Sequence, residues 1–117
     1  MSSVVFIVSA DALDAERLAR PLRDRGWLVE TETRDPSAVC GRVGECSPRA
    51  VVISLASDPD AGCDLACALS VAAATKSIPV LFVGGTSESI SAARKVRPDA
   101  QFLSPEEVPW AIKRFEG

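Results

Sequence analysis

The chain has no histidine among its 117 residues, so no imidazole base stands ready to activate its hydroxyls or thiols. Two serines are singled out by position: Ser9 follows the apolar run Val4 to Val8, and Ser54 lies in RAVVISLASDPDAG, which holds the most uniformly apolar strand-like run of the sequence. In open α/β sheets, ligands and reactive groups collect where strands end at their carboxyl edge, which makes both hydroxyls candidate site residues. Neither has a base at motif spacing. With no nucleophile–base pair for Ser54 or for the cysteines, an enzyme is the least favoured reading and no catalytic residue is assigned.

Three other groups invite chemistry. Asp58 and Asp60, in the turn after Ser54, could offer carboxylates to a cation, but turn formers hydrogen-bonding their own backbone are the preferred reading. Gly84-Gly85-Thr86-Ser87 is a candidate ligand loop, since a glycine-rich turn into a helix can aim backbone N–H groups at an anion. The same residues also spell an ordinary loop and helix cap, which is the favoured alternative. Cys40 and Cys46 lack CxxC spacing, and Cys63 and Cys67 lie one helical turn apart without imidazole or acidic companions. They read as reduced thiols acting as small core residues, with no metal and no cofactor implied.

Composition narrows the class. A net charge of -3, 47% hydrophobic and 25% charged residues describe an ordinary globular protein of one domain, residues 1–117. Phosphate contacts need a basic stripe that this chain lacks, the Arg residues between 17 and 25 being interspersed with Asp and Glu, so nucleic acid is not an expected partner. No apolar run approaches the roughly 18 residues that span a bilayer, and the opening MSSVVFIVSA reads as a strand rather than a signal peptide. A cytoplasmic location is expected.

The elements that must position these residues alternate. Val4 to Val8 and Ala50 to Leu55 are apolar throughout, as strands covered on both faces should be, and Ile78 to Val83 is a third such run. Leu28 to Arg34 alternates instead, with Val29, Thr31 and Thr33 against Glu30, Glu32 and Arg34, the pattern of an edge strand with one solvated face. Gln101 to Leu103 is a short last strand. Between them, Ala15, Leu18, Ala19 and Leu22 recur at helical spacing, with Asp11 or Asp14 as cap, Gly26 as terminator, a kink expected at Pro21 and Trp27 packed at the helix base. Asp35-Pro36 opens a short helix carrying Val39, Val43 and Cys46. A third helix runs to about Thr75 with Leu65, Leu69, Ala72 and Ala73 on one face. A fourth carries Ile90, Ala93 and Val96 or Arg97, and a terminal helix carries Val108, Ile112 and Phe115. Five βα units predict a three-layer α/β sandwich around a parallel five-stranded sheet, and the flavodoxin-like order 2-1-3-4-5 puts the alternating strand at an edge.

With strand ends so placed, the chain resembles, over nearly its full length, the CheY-like receiver domain of bacterial two-component response regulators. Pro48 before the central strand, Gly62 after it, Ile78-Pro79 at the fourth strand and Ser104-Pro105 after the fifth carry the likeness. In that family an acidic pair ends the first strand and, with an Asp ending the third, holds Mg²⁺ so that this Asp accepts phosphate. Here the acidic pair falls on Ser9 and Ala10, with only neighbouring Asp11 acidic. The acceptor falls on Ser54, the phosphoryl-sensing Thr or Ser on Gly84, and the Lys on Ser104. The resemblance therefore implies a degenerate pseudo-receiver in which the fold is kept and the phosphorelay lost.

Two functions follow from that likeness. The first is a phosphorylation-independent signalling module that docks a protein partner, or a second copy, through the fourth helix, fifth strand and fifth helix, with Ile90, Arg94, Gln101, Pro109, Trp110 and Lys113 on that surface. Trp110 is its leading residue, since aromatic and Arg side chains dominate interface energies; the competing expectation is a ring that closes the core. The second is a small-ligand or phosphate-anion sensor using the hydroxyl-lined edge at Ser9, Ser54, Gly84 to Ser87 and Ser104.

Overall fold

The computed structural model describes residues 4–33, 38–56 and 58–114. Its strands are β1 (Val4–Val8), β2 (Leu28–Glu32), β3 (Ala50–Ser54), β4 (Val80–Val83) and β5 (Gln101–Leu103). The helices are α1 (Ala12–Asp24), α2 (Val39–Cys46), α3 (Pro59–Val71), α4 (Ser87–Val96) and α5 (Val108–Lys113), the last preceded by a 3-10 turn at Pro105–Glu107. All strand pairs are parallel and the order is β2-β1-β3-β4-β5, as the alternation of elements predicts.

The uninterrupted apolar runs are apolar because both faces are covered. Even and odd residues of a strand point to opposite sides, and β3 divides accordingly. Ala50 and Val52 join Val5, Ile7, Leu18, Leu22, Val108 and Ile112 in a core beneath α1 and α5. Val51 and Ile53 join Phe6, Val39, Val43, Leu65, Leu69 and Phe82 beneath α2, α3 and α4. Burying each such Val or Ile side chain stabilises the fold by about 1.5–3 kcal/mol. Edge strand β2 is half covered, with Val29 packed on the α1 side and Glu30 exposed.

Helix ends explain several departures from the expected boundaries. α1 is capped by Asp11, whose carboxylate accepts from Leu13 N, and it runs through Pro21 to Asp24 as one element. α3 stops at Val71 rather than near Thr75 because Ala72 turns extended, and the buried Thr75 hydroxyl donates to the Leu69 carbonyl at 2.8 Å. Ala73 is accordingly exposed and leaves the buried face. Strand β4 begins at Val80, two residues late, since Ile78 N still bonds Thr75 O. Gly62 lets α3 close on β3, where a Cβ would meet Leu55 at 3.0 Å and Ile53 at 3.1 Å. Arg34, the Asp35-Pro36 cap and Phe115 lie outside the described residues. Among the described residues no helix is long and apolar enough to cross a membrane.

Cys40, Cys46 and Cys63 pack half-buried against the α2–α4 core, whereas Cys67 is exposed on α3, so only three of the four thiols are core-like. Cys63 does have acidic companions, which corrects the expectation that it lacks them: burial first, then the carboxylates of Asp60 and Asp64, push its thiol up.

Candidate functional site

Parallel pairing of Val8 with Ile53 brings the next residues, Ser9 and Ser54, to the same carboxyl edge. A pocket of about 130 Å³ opens there, walled by Ser9, Ala10, Glu32, Thr33, Ser54, Asp58 and Gly62 among others. Ser9 is 2% exposed and fully engaged: its hydroxyl donates to Asp14 Oδ2 at 2.9 Å, and its oxygen accepts from Asp11 N at 3.2 Å. Ser54 is 5% exposed, and its oxygen accepts from Ala56 N at 3.4 Å. Among the described residues its hydroxyl proton has no acceptor, so the pocket offers one unspent donor.

The carboxylates nearest this edge serve backbone and side-chain partners. Asp11 and Asp58 cap α1 and α3, Asp58 accepting from Ala61 N at 3.1 Å. Asp60 lies exposed in the first turn of α3. Glu32 receives Arg42 Nη1 at 2.8 Å, and Arg42 also reaches Glu30 and lies over the Phe6 ring. Among the described residues no three His, Cys, Asp or Glu side chains converge as a metal site would require. Asp14 is the residue that sequence reasoning missed, having weighed it only as a cap. A strand-end serine five residues ahead of an acid on the next helix carries no local signature; only the turn of the chain brings them together.

The remaining candidates do not join the pocket. Gly84 and Gly85 adopt φ of 74° and 92° and turn the chain from β4 into α4. Thr86 and Ser89 then close a capping box, Ser89 Oγ taking Thr86 N at 2.8 Å and Thr86 Oγ1 taking Ser89 N at 3.2 Å. Thr86 thus spends its amide on a cap, and exposed Ser87 begins the helix. Ser104 donates both its N–H and its hydroxyl to Glu107 Oε1, at 3.1 and 2.9 Å. These bonds, the backbone one foremost, hold the Glu107 carboxyl below its usual range. Ser9, Ala10 and Ser54 line this pocket, whereas Thr86 and Ser104 spend hydrogen bonds on helix caps and Gly84 and Gly85 form the turn that packs against Ala56 and Leu55.

α4 and α5 cover different faces of the sheet, Ala93 sharing a core with Phe102 on one side and Val108 and Ile112 with Leu103 on the other. Arg94 lies over the Phe102 ring at 4.9 Å, and Phe102 stacks on Phe82 at 5.2 Å. Ile90 and Gln101 are half-buried and Lys113 is exposed. Pro109 is buried in the α5 core face and cannot belong to a surface, which corrects its place there. Trp110 is 67% exposed, so the core-closing alternative fails for it; the buried indole is Trp27, 6% exposed, packed with the α1 core at the helix base.

No protein-family model matches the chain, and no curated protein matches it. Solved structures do. A candidate response regulator from Chloroflexus aurantiacus superposes with a TM-score of 0.82 at 20% identity, covering 98% of each chain. A response regulator signal receiver domain from Bermanella marisrubri gives 0.80 at 18% identity over 100% of both chains. A de novo designed Rossmann 2x3 fold protein gives 0.70 at 19% identity, covering 98% of this chain and 89% of the other. At such identities the chain shares the fold of response-regulator receiver domains, and its function has to be argued from its own residues.

Proposed function

We propose that the chain is a receiver-like signalling module of the cytoplasm that works by docking a protein partner, without Mg²⁺-dependent aspartyl phosphorylation and without enzymatic activity of its own. One observation carries this reading: β3 ends in Ser54, a neutral hydroxyl, beside Ser9, whose proton is already held by Asp14. A hydroxyl cannot form an acyl phosphate, and two hydroxyls supply no anionic ligand to a small hard cation. Ser104 has likewise turned to Glu107 rather than toward Ser54. A fold that keeps its scaffold while every charge-bearing position of the phosphorelay is replaced retains surface as its means of action, and the exposed parts of the α4–β5–α5 flank are available for it. Partners are proteins, either another species or a second copy; neither nucleic acid nor membrane is implied.

Incubation with Mg²⁺ and acetyl phosphate, or with beryllofluoride, tests the reading by intact mass and by ¹⁹F NMR. No adduct is expected. Stoichiometric uptake that requires Mg²⁺ would overturn it.

The pocket itself supports a second reading, a sensor of a small neutral molecule. Ser54 brings a spare donor to a space of about 130 Å³, while Glu32 and Asp58 on the wall disfavour phosphate or another anion. A ligand bound only by the folded chain must raise the melting temperature, so a thermal-shift screen of small amides, polyols and phosphate separates the two readings.

A further inference from the structure

Trp110 and Arg25 point to a docking surface on a different flank. Arg25, at the C-cap of α1, lies over the Trp110 ring at 5.5 Å, so the indole belongs to the α1–α5 side rather than to α4. Within α5 the buried residues are Val108, Pro109, Ala111 and Ile112. The outward stripe left to the helix is Trp110 with Lys113 and Arg114, at i, i+3 and i+4, which are neighbours on a helix surface. Arg25, Lys113 and Arg114 are exposed, and none forms an ion pair with a carboxylate among the described residues. Arg17, Arg23 and Arg42 each face an acid on their own or a neighbouring element, whereas exposed Arg20 and Arg94, like the three patch cations, form no ion pair among the described residues. The patch is thus an exposed aromatic with Arg25 over its ring and Lys113 and Arg114 on the following turn, while the exposed carboxylates of Glu106 and Glu107 stand at the other end of the same helix, on a chain whose net charge is -3.

We infer that the Trp110–Arg25–Lys113–Arg114 surface binds an acidic peptide segment that carries an apolar side chain. The inference rests on the reading of the chain as a docking module and names the chemistry of its partner. Charge complementarity selects the acidic character, because a carboxylate arriving here meets donors that spend nothing on internal partners. The indole selects the apolar residue: a ring stiffened by a stacked guanidinium presents a flat apolar face at low entropic cost. Uniform polyanions are poorer occupants. Three cations make few phosphate contacts, and an overall negative chain is repelled by the rest of a duplex. Anionic membranes call for clusters of about four to eight basic residues, more than this patch holds.

The test uses the full chain and four probes: a twelve-residue peptide of six Glu, two Leu and four Ser, the same peptide with Gln for Glu, anionic phosphatidylserine vesicles, and a 20-base-pair DNA duplex. Binding is read by anisotropy of a fluorescein label on each peptide and on the duplex and by co-sedimentation with the vesicles; because Trp27 is buried, a blue shift of the parent chain's tryptophan emission also reports cover over Trp110. The acidic peptide is expected to bind saturably at low salt, with a blue shift in the parent chain, and its affinity by anisotropy to fall at least about fivefold in Trp110→Ala and in Arg25→Gln. Both variants change exposed side chains, and unchanged unfolding midpoints confirm that the fold is intact. No saturable binding of the acidic peptide, an affinity unaffected by either variant, equal binding of the Gln peptide, or tighter binding of vesicles or duplex would each overturn the proposal. Such a failure leaves the phosphoryl-uptake result standing, so the two readings fail separately.

Discussion

Ser9 donates its hydroxyl proton to Asp14 across 2.9 Å, joining the end of β1 to the first turn of α1. The contact makes position 9 a structural hinge between strand and helix as well as the wall of the pocket. Replacing Ser9 by Ala removes this bond and the acceptor for Asp11 N, and should cost about 1–2 kcal/mol in urea unfolding. Ser9→Asp, which puts an acid where receivers have one, brings two carboxylates to hydrogen-bond distance and should cost more, with Asp14→Asn in the same chain recovering part of the loss. Equal stability of Ser9→Asp and the parent chain would mean that Asp14 turns away without penalty.

Two glycines should respond oppositely to alanine. Gly85, at φ 92°, would set a Cβ 2.6 Å from Ser89 Oγ and 2.9 Å from Leu55 Cβ, against both the α4 capping box and the core. Strain and crowding together should lower stability by about 3 kcal/mol. Gly41 sits inside α2 with nothing within 4 Å of its would-be Cβ, and Gly41→Ala should raise stability by about 0.5 kcal/mol through helix propensity alone. Denaturant midpoints of the two variants on either side of the parent chain are the expected result.

Glu107 sets the sign of one pH effect. Its folded carboxyl is held low first by Ser104 N–H and then by the Ser104 hydroxyl. A depressed folded value means that the stabilisation is present above the ordinary Glu value, about 4.3, and is lost as pH falls through the lower folded value. Carbon-13 NMR titration of the Glu107 carboxyl should give a midpoint below that ordinary value. Ser104→Ala deletes the smaller of the two bonds and should move the midpoint only part of the way back; a full return would assign the effect to the hydroxyl.

How far the sequence foretells this arrangement depends on whether a signal is local. Strand order was legible because Val4 to Val8 and Ala50 to Ile53 are apolar on both faces while Glu30 breaks the pattern of β2. The serine at the end of β3 was legible for the same reason. Side-chain partners across elements were not: the residues that claim Ser9 and Ser104 could be known only once helix starts were fixed in space. The two tryptophans illustrate the limit. Trp27, after a helix-ending glycine, packs at the base of α1 as its place there suggests, whereas for Trp110, after a proline, surface and core stood as open alternatives and only the fold shows the ring exposed. Arg97 was read at most as the end of a helical face, yet it is buried at 6% exposure, because its partners come from residues 70 to 78.

That buried arginine supplies the most demanding prediction. Its Nη2 donates to the carbonyls of Lys76 at 3.2 Å and Ile78 at 3.0 Å, and Nη1 donates to Ser70 Oγ at 3.1 Å, fastening α4 to the end of α3 and to the approach to β4. Its charge partner Asp99, bonded to Nε at 3.0 Å, has a side chain 74% exposed. If the carbonyls and the serine are what the guanidinium serves, Arg97→Met leaves acceptors without a donor and should cost about 3 kcal/mol. Lysine lacks the planar fork that reaches three acceptors at once, so Arg97→Lys should recover little of that. Asp99→Asn, by contrast, exchanges a solvated carboxylate for an amide and should cost about 0.5 kcal/mol. Equilibrium unfolding of the three variants decides between the pair and the network: comparable losses for Asp99→Asn and Arg97→Met would mean that the ion pair, not the carbonyl net, holds α4 in place.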